Sequence, residues 1–442
     1  MDFSLNDYIR YSNTRNYFPK NIFPFVSINK NKYKDLENIQ KNNQNSVSNA
    51  FIELQKRVGE NYFQKVYPSQ SSALNFSQRS FPPYKFLLPE VLADDWLSIV
   101  DWHNKHCRDH ALHQPLTAYI VHKLLGGGIS SKSLKIGDSN LLDLSVINIL
   151  KWGKTSYIKE YLLDIGVNPK SNLLENTPIG REFWKNIFYE TTLIAAVFHD
   201  IGYPWQYINR LNNNLNSADF SSNNSIVNAE HIYNCFKNRL VLYPFNGYKS
   251  LNRNVPCNWK NELLELISAS LSKTHGFPGA LGFLYLNDFI REYPSKKELP
   301  FHQFSIDWAS VGIMMHDFIN IYHGLNNDSP PDNLHMRLEF DKDPLSCIVA
   351  LADVLEEFER PNVILHKHQQ SSNFKYNSCC ISSEIDINNG VLNIIYKFKN
   401  LKLAAEKRVY MKNDEFKYFH PDFGYLDFSS IGIRKVNMSA II

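Results

Sequence analysis

Residues 191–205, TTLIAAVFHDIGYPW, join a strongly apolar run to the adjacent pair His199-Asp200. The apolar residues fit a buried helix, so the pair falls at the end of that helix. Burying an unpaired imidazole or carboxylate costs several kcal/mol, and metal coordination offsets that cost well. A helix-capping pair is the alternative, with Gly202 as the stop signal, but an Asp does not favour a helix C-terminus. The stretch therefore predicts a metal site.

Four further segments place a His or an Asp in an apolar, helix-patterned setting. Asp353 is flanked at helical spacing by Val349, Ala352, Leu355 and Phe358, where a lone carboxylate would be desolvated. Its alternative is a salt bridge to an arginine elsewhere, and the alternative for each histidine is a hydrogen-bonded core residue. The segments are CRDHALHQPLTAYIVHKLL with His110, KTHGFPGALGFLYL with His275, WASVGIMMHDF with His316, and PLSCIVALADVLEEFERP with Asp353.

The resulting order, H…HD…H…H…D, resembles the HD-domain superfamily of metal-dependent phosphohydrolases over residues 95–361. THGFPGAL and IMMHDF are similar to segments of a bacterial subgroup that binds two metals. The resemblance implies a mainly α fold, an HD-type helical bundle, with a carboxylate that bridges the two metals; Asp200 matches that carboxylate. It also implies the metal ligands His110, His199, Asp200, His275, His316 and Asp353.

Several other histidines compete for these roles. His113 lies one turn after His110, and it is the second choice for the first ligand or a catalytic, phosphate-binding neighbour of the site. His231 competes with His275 and His316. The other candidates near His110 are His103, His106 and His122, whereas His302, His323 and His420 are expected at the surface.

Imidazole and carboxylate ligands without thiolates suit Mn, Fe, Co, Ni or Zn as divalent ions. Two such ions can activate water for in-line displacement at phosphorus. The leading function is a phosphohydrolase acting on a nucleotide-type phosphoester. The alternatives are a non-catalytic HD scaffold or ligand-binding protein, and a di-iron HD-type oxygenase. The GYP at 202–204 follows the HD pair after a single residue, unlike the separate downstream motif of HD-GYP phosphodiesterases, so it does not indicate their substrate.

The sequence pattern divides the chain into three parts. Residues 1–88 are an aromatic and Asn-rich extension with one expected helix over 48–63, and residues 89–361 are the helical metal-binding domain with an insertion at about 126–177. Residues 371–442, here called the C-terminal module, alternate in polarity and carry Asn388-Asn389-Gly390 between two apolar runs, which predicts a hairpin. This α+β appendage is expected to pack beside the site or to form a homodimer contact, and a chain ending near His368 is expected to keep its metal.

Composition limits the classes of function. The chain has 442 residues with 43% hydrophobic and 21% charged residues, typical of a globular protein. A net charge of +3 argues against a strongly electrostatic nucleic-acid binder but leaves a local basic patch open. Six cysteines without a CxxC pair indicate free thiols. With no signal-peptide pattern and no apolar run of about 20 residues, a cytoplasmic protein without a membrane segment is expected.

Overall fold

The helices dominate the part of the chain that the computed structural model describes. Of those residues, 58% are helical and the rest include three small sheets, so the predicted mainly α fold class is confirmed at this level. The described residues are 1–4, 110–126, 134–154, 159–160, 163, 174–200, 202, 274–277, 279–280, 283–284, 299–317, 338–357, 380–412, 416–419 and 424–442.

Helices and strands are interleaved along the chain. Their bounds are β1 (Asp2–Ser4), α1 (His110–Leu124), β2 (Lys135–Ile136), β3 (Ser139–Asn140), α2 (Leu141–Lys154), α3 (Pro178–Phe198), α4 (Leu299–Met315), β4 (Leu338–Glu339), α5 (Pro344–Leu355), β5 (Cys380–Asn388), β6 (Val391–Phe398), α6 (Leu401–Tyr410), α7 (Phe416–Phe419), β7 (Leu426–Asp427) and β8 (Lys435–Ile441). A one-turn 3-10 helix, Ser429–Ile431, lies between β7 and β8.

Helix α3 is the central helix and packs against α1, α2, α4 and α5. It begins with a Thr177 N-cap, whose hydroxyl accepts a hydrogen bond from the Gly180 amide at 3.1 Å, followed by Pro178 at the first helical position. Its last turns, from residue 191 onward, are buried on all sides. A helix that is apolar all round needs neighbours on every face, and α3 has them.

Helices α3 and α4 run side by side in the same direction. Trp184 contacts Phe304 with ring centroids 5.5 Å apart, and Phe188 contacts Trp308 one turn further along both helices. Near the other end, a Cβ added at Gly312 would lie 3.2 Å from the Cβ of Ala195, so the helices approach closely there. This parallel arrangement brings the C-terminal ends of both helices to the same side of the bundle.

The ends of α1 and α5 carry the expected signals, with one difference. Gly126 adopts a left-handed φ of 87° just after α1, and Asp343 caps α5 by accepting from the Ser346 amide at 3.1 Å. Helix α5 ends at Leu355, six residues before the end of the predicted helical domain at 361, and Glu356 is extended, with φ −79° and ψ 106°. The helix ends there because the Glu356 carboxylate accepts a hydrogen bond from His113 Nδ1 of α1.

The predicted hairpin of the C-terminal module is confirmed. Strands β5 and β6 pair antiparallel around Asn389 and Gly390, whose φ values of 52° and 77° match a type I′ turn. Strand β8 adds to β6 in parallel, and α6 packs on β6 and β8. At the other edge, β1 from the start of the chain pairs with β5, giving the order β1-β5-β6-β8.

The predicted insertion contains a short hairpin and a helix. Strands β2 and β3, of two residues each, pair antiparallel, and α2 packs on α3. Cys347 and Cys380 are buried free thiols. No helix of the described residues is long and apolar enough to cross a membrane. The helix expected at 48–63 lies outside the described residues, and the three-part division of the chain stays a prediction.

His122, near the end of α1, is a buried histidine remote from the predicted ligands. Its Nδ1 hydrogen-bonds with the Tyr189 hydroxyl of α3. Burial, and secondarily the charge of Lys123, lowers the pKa of His122 to about 3. The folded protein therefore keeps this ring neutral while the unfolded chain takes up a proton below about pH 6.5. The stability from the neutral ring is complete above pH 6.5 and is lost as pH falls towards 3.

We expect His122→Asn to weaken the acid sensitivity of the fold. Because each pH unit below about 6.5 costs about 1.4 kcal/mol for such a group, the wild type should lose about 2 kcal/mol more than the variant between pH 7 and pH 5. Urea unfolding at both pH values measures this difference. Tyr189→Phe removes the hydrogen bond but keeps the titrating ring, so it should retain the wild-type pH dependence. Equal losses in wild type and His122→Asn would contradict the prediction.

Candidate metal centre

The candidate site lies where three helices end and a fourth begins. His199 and Asp200 directly follow α3, and His316 and Asp317 directly follow α4. Asp353 lies in the last turn of α5. Helix C-termini carry partial negative charge, so three of them meeting at one place favour a cation there.

His113, in the first turns of α1, forms one half of the site. Its Nε2 atom lies 3.1 Å from His199 Nε2, 3.1 Å from Asp353 Oδ1 and 3.3 Å from Asp200 Oδ2. His113 and His199 are fully buried, and the Asp353 side chain is 14% exposed. The potential ligand atoms of His113, His199 and Asp353 all lie within 4.8 Å of one another.

His275 and His316 form the other half. Their Nε2 atoms are 3.0 Å apart, and Asp200 Oδ1 lies 2.8 Å from His275 Nε2 and 3.6 Å from His316 Nε2. A second group of potential ligand atoms, from His199, Asp200 and His316, also lies within 4.8 Å. The two halves therefore share Asp200, whose Oδ2 faces His113 and whose Oδ1 faces His275. A carboxylate in this position can bridge two cations.

Each histidine of the site directs its Nδ1 atom to an oxygen acceptor. His199 Nδ1 lies 2.6 Å from the Ala196 carbonyl, and His316 Nδ1 lies 2.7 Å from the Ile313 carbonyl. The remaining two pairs are with carboxylates: His113 Nδ1 with Glu356, and His275 Nδ1 with Asp317 at 2.9 Å. Because an oxygen acceptor favours a hydrogen on the nitrogen that faces it, we infer that each of the four rings carries a hydrogen on Nδ1.

The consequence is that four Nε2 atoms converge, each on a ring whose Nδ1 atom already has a partner. Two neutral imidazoles cannot hydrogen-bond through Nε2 atoms that both lack hydrogen, yet these atoms approach to 3.0 Å and 3.1 Å. The contacts become favourable only if a positive charge, either a proton or a metal ion, lies among them. Metal-ligating histidines characteristically donate their other ring nitrogen to a carboxylate or a carbonyl, as all four do here.

The charged groups of the site shift one another's pKa values. Burial opposes a charge on His275, but the carboxylates of Asp317 and Asp200 outweigh it and raise the pKa of His275 to about 10. Burial lowers the pKa of His199, although the negative charges of Asp200 and Asp353 act in the opposite direction. For Asp200, burial favours the acid, yet His199 and His275 hold its pKa well below the usual range. The site thus keeps Asp200 ionised and favours a positive charge on His275.

Two glycines let the backbone segments come this close. A Cβ at Gly276 would lie 2.5 Å from the Met314 carbonyl oxygen, and one at Gly202 would lie 1.8 Å from the His275 carbonyl oxygen. Both positions therefore accept only glycine without a shift of the backbone. Larger residues would push the His275 segment away from both neighbouring segments.

The structure brings together most of the residues singled out from the sequence. These are His113, His199, Asp200, His275, His316 and Asp353, here called the histidine–aspartate cluster. His110 is the first residue of α1, and its side chain lies outside the described residues, so its role as a ligand stays a prediction. The side chains of His103, His106, His231, His302, His323 and His420 also lie outside the described residues.

Sequence reasoning missed two carboxylates that orient the rings. Asp317 Oδ2 accepts from both the Nδ1 and the backbone amide of His275, the latter at 3.0 Å, and Glu356 accepts from His113. A signal for Asp317 was present, because His316-Asp317 repeats the dipeptide of His199-Asp200. Glu356 carried no such signal, since helical spacing placed it on a continuing helix.

Comparisons with known proteins do not identify this arrangement. No protein-family model matches the chain, and neither the curated proteins nor the solved structures contain a match. The case for a metal centre therefore stands on the geometry and on the sequence motifs.

We expect Asp317→Asn to weaken metal binding about 10- to 100-fold, the usual effect of losing a carboxylate that orients a histidine ligand. The amide can no longer supply a charged acceptor to both donors of His275. Titration of the metal-free protein with Co²⁺, followed by calorimetry, measures the affinity. Glu182→Gln is the control, because Glu182 is an exposed carboxylate on α3, and it should leave the affinity unchanged. An unchanged affinity in Asp317→Asn would show that Asp317 does not orient a ligand.

Proposed function

We propose that the protein is an HD-type metal-dependent phosphohydrolase. The observation that carries the proposal is the convergence of four Nε2 atoms around Asp200, each ring being oriented through its Nδ1 atom. The order of these residues along the chain, H…HD…H…H…D, adds the resemblance to the HD superfamily.

The residues of the cluster fit two divalent ions of the Mn, Fe, Co, Ni or Zn type. His113, His199 and Asp353 would hold one ion, and His275 with His316 would hold the other, while Asp200 would contribute one oxygen to each. In this assignment His113 is a ligand. Four carboxylates surround the site, and two divalent cations would balance their charge: Asp200, Asp317, Asp353 and Glu356.

Such cations supply the positive charge that activates water and stabilises the charge developing on a phosphoryl group. The chain's own residues prepare the site for them. The carboxylates of Glu356 and Asp317 keep the Nδ1 hydrogens of His113 and His275 in place, which leaves both Nε2 lone pairs directed inward. Fixed orientation lowers the reorganisation needed when charge develops during reaction.

The direction of substrate approach follows from the exposure of the ligands. Asp353 is 14% exposed and His275 is 7% exposed, whereas the side chains of His113, His199 and Asp200 are fully buried. We therefore infer that a phosphoester reaches the centre on the side of Asp353 and His275. A nucleotide-type substrate is what the resemblance implies.

The test is a substrate panel with the metal-loaded protein. Elemental analysis first measures the metal that the purified protein retains, for which we expect one to two equivalents. Protein loaded with Mn²⁺, Co²⁺, Ni²⁺, Fe²⁺ or Zn²⁺ is then incubated with nucleotides, cyclic dinucleotides and a generic aryl phosphodiester, and phosphate or nucleotide release is measured. Protein that takes up no metal on reconstitution would contradict the two-metal assignment. Metal-loaded protein that consumes O₂ but hydrolyses no phosphoester would instead support the oxygenase alternative.

We expect Asp200→Ala to reduce hydrolysis on the order of 10³-fold or more, with little loss of fold, because it removes the carboxylate shared by both halves of the site. Steady-state rates on the best substrate of the panel, together with circular dichroism, check this. The control is Asp143→Asn, which alters an aspartate on α2 whose carboxylate is 35% exposed and paired with Lys185. Near-normal turnover in Asp200→Ala would exclude a bridging role for Asp200.

A further inference from the structure

The helices that carry the cluster end abruptly, and each end leaves carbonyl groups without a helical partner. An α-helix leaves its last four carbonyls unsatisfied, and buried ones need another donor. In α4 these carbonyls precede His316, and in α5 they lie between Asp353 and Glu356. Three of them, the carbonyls of Met315, Val354 and Leu355, accept hydrogen bonds from a distant part of the sequence, the C-terminal module.

Tyr425 provides a hydrogen-bond donor to the end of α4. Its hydroxyl donates a hydrogen bond to the Met315 carbonyl at 2.6 Å, one residue before His316. Tyr425 itself is fully buried, and its own carbonyl accepts from the Leu338 amide at 2.7 Å, beside the parallel pair of β4 and β7. A fixed backbone therefore holds this hydroxyl against the peptide unit that positions His316.

Tyr396 and Ser383 provide hydrogen-bond donors to the end of α5. The Tyr396 hydroxyl donates to the Val354 carbonyl at 2.9 Å, and the Ser383 hydroxyl donates to the Leu355 carbonyl at 3.3 Å. These two carbonyls belong to the residues between Asp353 and Glu356. Both donors are fully buried on the face of the β5–β6 hairpin that packs on the helices.

A buried ion pair strengthens the same junction. Lys407 of α6 lies 2.9 Å from Glu357, the residue after Glu356, and its ammonium group lies 4.4 Å from the centre of the Tyr396 ring. The ring, the ammonium group and the carboxylate are all almost completely buried. The Tyr396 ring is thereby held both by the hydrogen bond of its hydroxyl and by its contact with the ammonium group.

We propose that Tyr396 and Tyr425 are positioning residues for the two halves of the metal centre, so that the C-terminal module is part of the site's scaffold. This inference rests on the proposed metal-dependent function. Tyr425 acts on the His275–His316 half through Met315, and Tyr396 acts on the His113–Asp353 half through Val354. The sequence pattern alone suggested the opposite, that a chain without this module keeps its metal, because the pattern changes after the last ligand.

The test compares Tyr396→Phe and Tyr425→Phe in the full-length chain. Each variant removes one hydroxyl and keeps the ring. The metal-free proteins are titrated with Co²⁺, whose visible absorption reports ligand geometry, and calorimetry gives the affinity of each binding step. We expect each variant to weaken one of the two steps about 10-fold or more and to alter its absorption band, while the other step keeps its wild-type affinity.

The control is Tyr119→Phe, the same substitution at an equally buried tyrosine of α1. It should leave both Co²⁺ steps and their spectra unchanged, even if it lowers the free energy of unfolding. If Tyr396→Phe does not fold, Ser383→Ala removes the neighbouring bond to Leu355 and tests the same half.

The outcomes separate this inference from the proposed function. A wild-type protein that binds no Co²⁺ contradicts the proposed function itself. A wild type that binds Co²⁺ while both tyrosine variants keep its affinities and spectra overturns the positioning role alone. Losses in both steps equal to those in Tyr119→Phe would also overturn it, because they would reflect stability rather than position.

Discussion

The approach of histidine Nε2 atoms to 3.0–3.1 Å in two pairs is the constraint on which the rest of this structure depends. Apolar packing cannot stabilise it, because two facing Nε2 lone pairs would repel each other in a buried setting where no water screens them. Only positive charge makes the arrangement favourable. The negative charges of the Asp200 and Asp353 carboxylates further favour a positive charge at this place. A buried cluster with this charge distribution could therefore hold a cation.

The fold meets that constraint by bringing helix ends together. The parallel packing of α3 and α4 places His199 and His316 side by side, with ring centroids 4.9 Å apart. Glycines at 202 and 276 allow the backbones to approach within distances that a Cβ would not permit, and Gly312 leaves room for the side chains of Leu345 and Ala195. The negative ends of α3, α4 and α5 then point at one volume, so the backbone adds to the field of the carboxylates.

The sequence predicted the parts of the site whose signals are local. His199-Asp200, His316 and Asp353 could be recognised because each stands out within one apolar helix, and the hairpin at Asn389 could be recognised from its turn residues. His110 and His113 could not be separated in this way, because they lie one turn apart on overlapping faces of α1. Only the contacts across the bundle show that His113 Nε2 faces the cluster.

The parts that the sequence did not predict depend on contacts between distant residues. Strand β1 has three residues, too few for an alternating pattern, and it is defined by its pairing with β5. Likewise, the end of α5 at Leu355 has no turn residue to mark it. The helix ends there because Glu356 gains a buried histidine partner and the carbonyls of Val354 and Leu355 gain hydroxyl donors. Those donors lie 28 and 42 residues further along the chain, so the boundary follows from tertiary structure. A candidate metal centre built at such boundaries is coupled to the packing of the whole bundle, because the positions of its side chains depend on where the helices end.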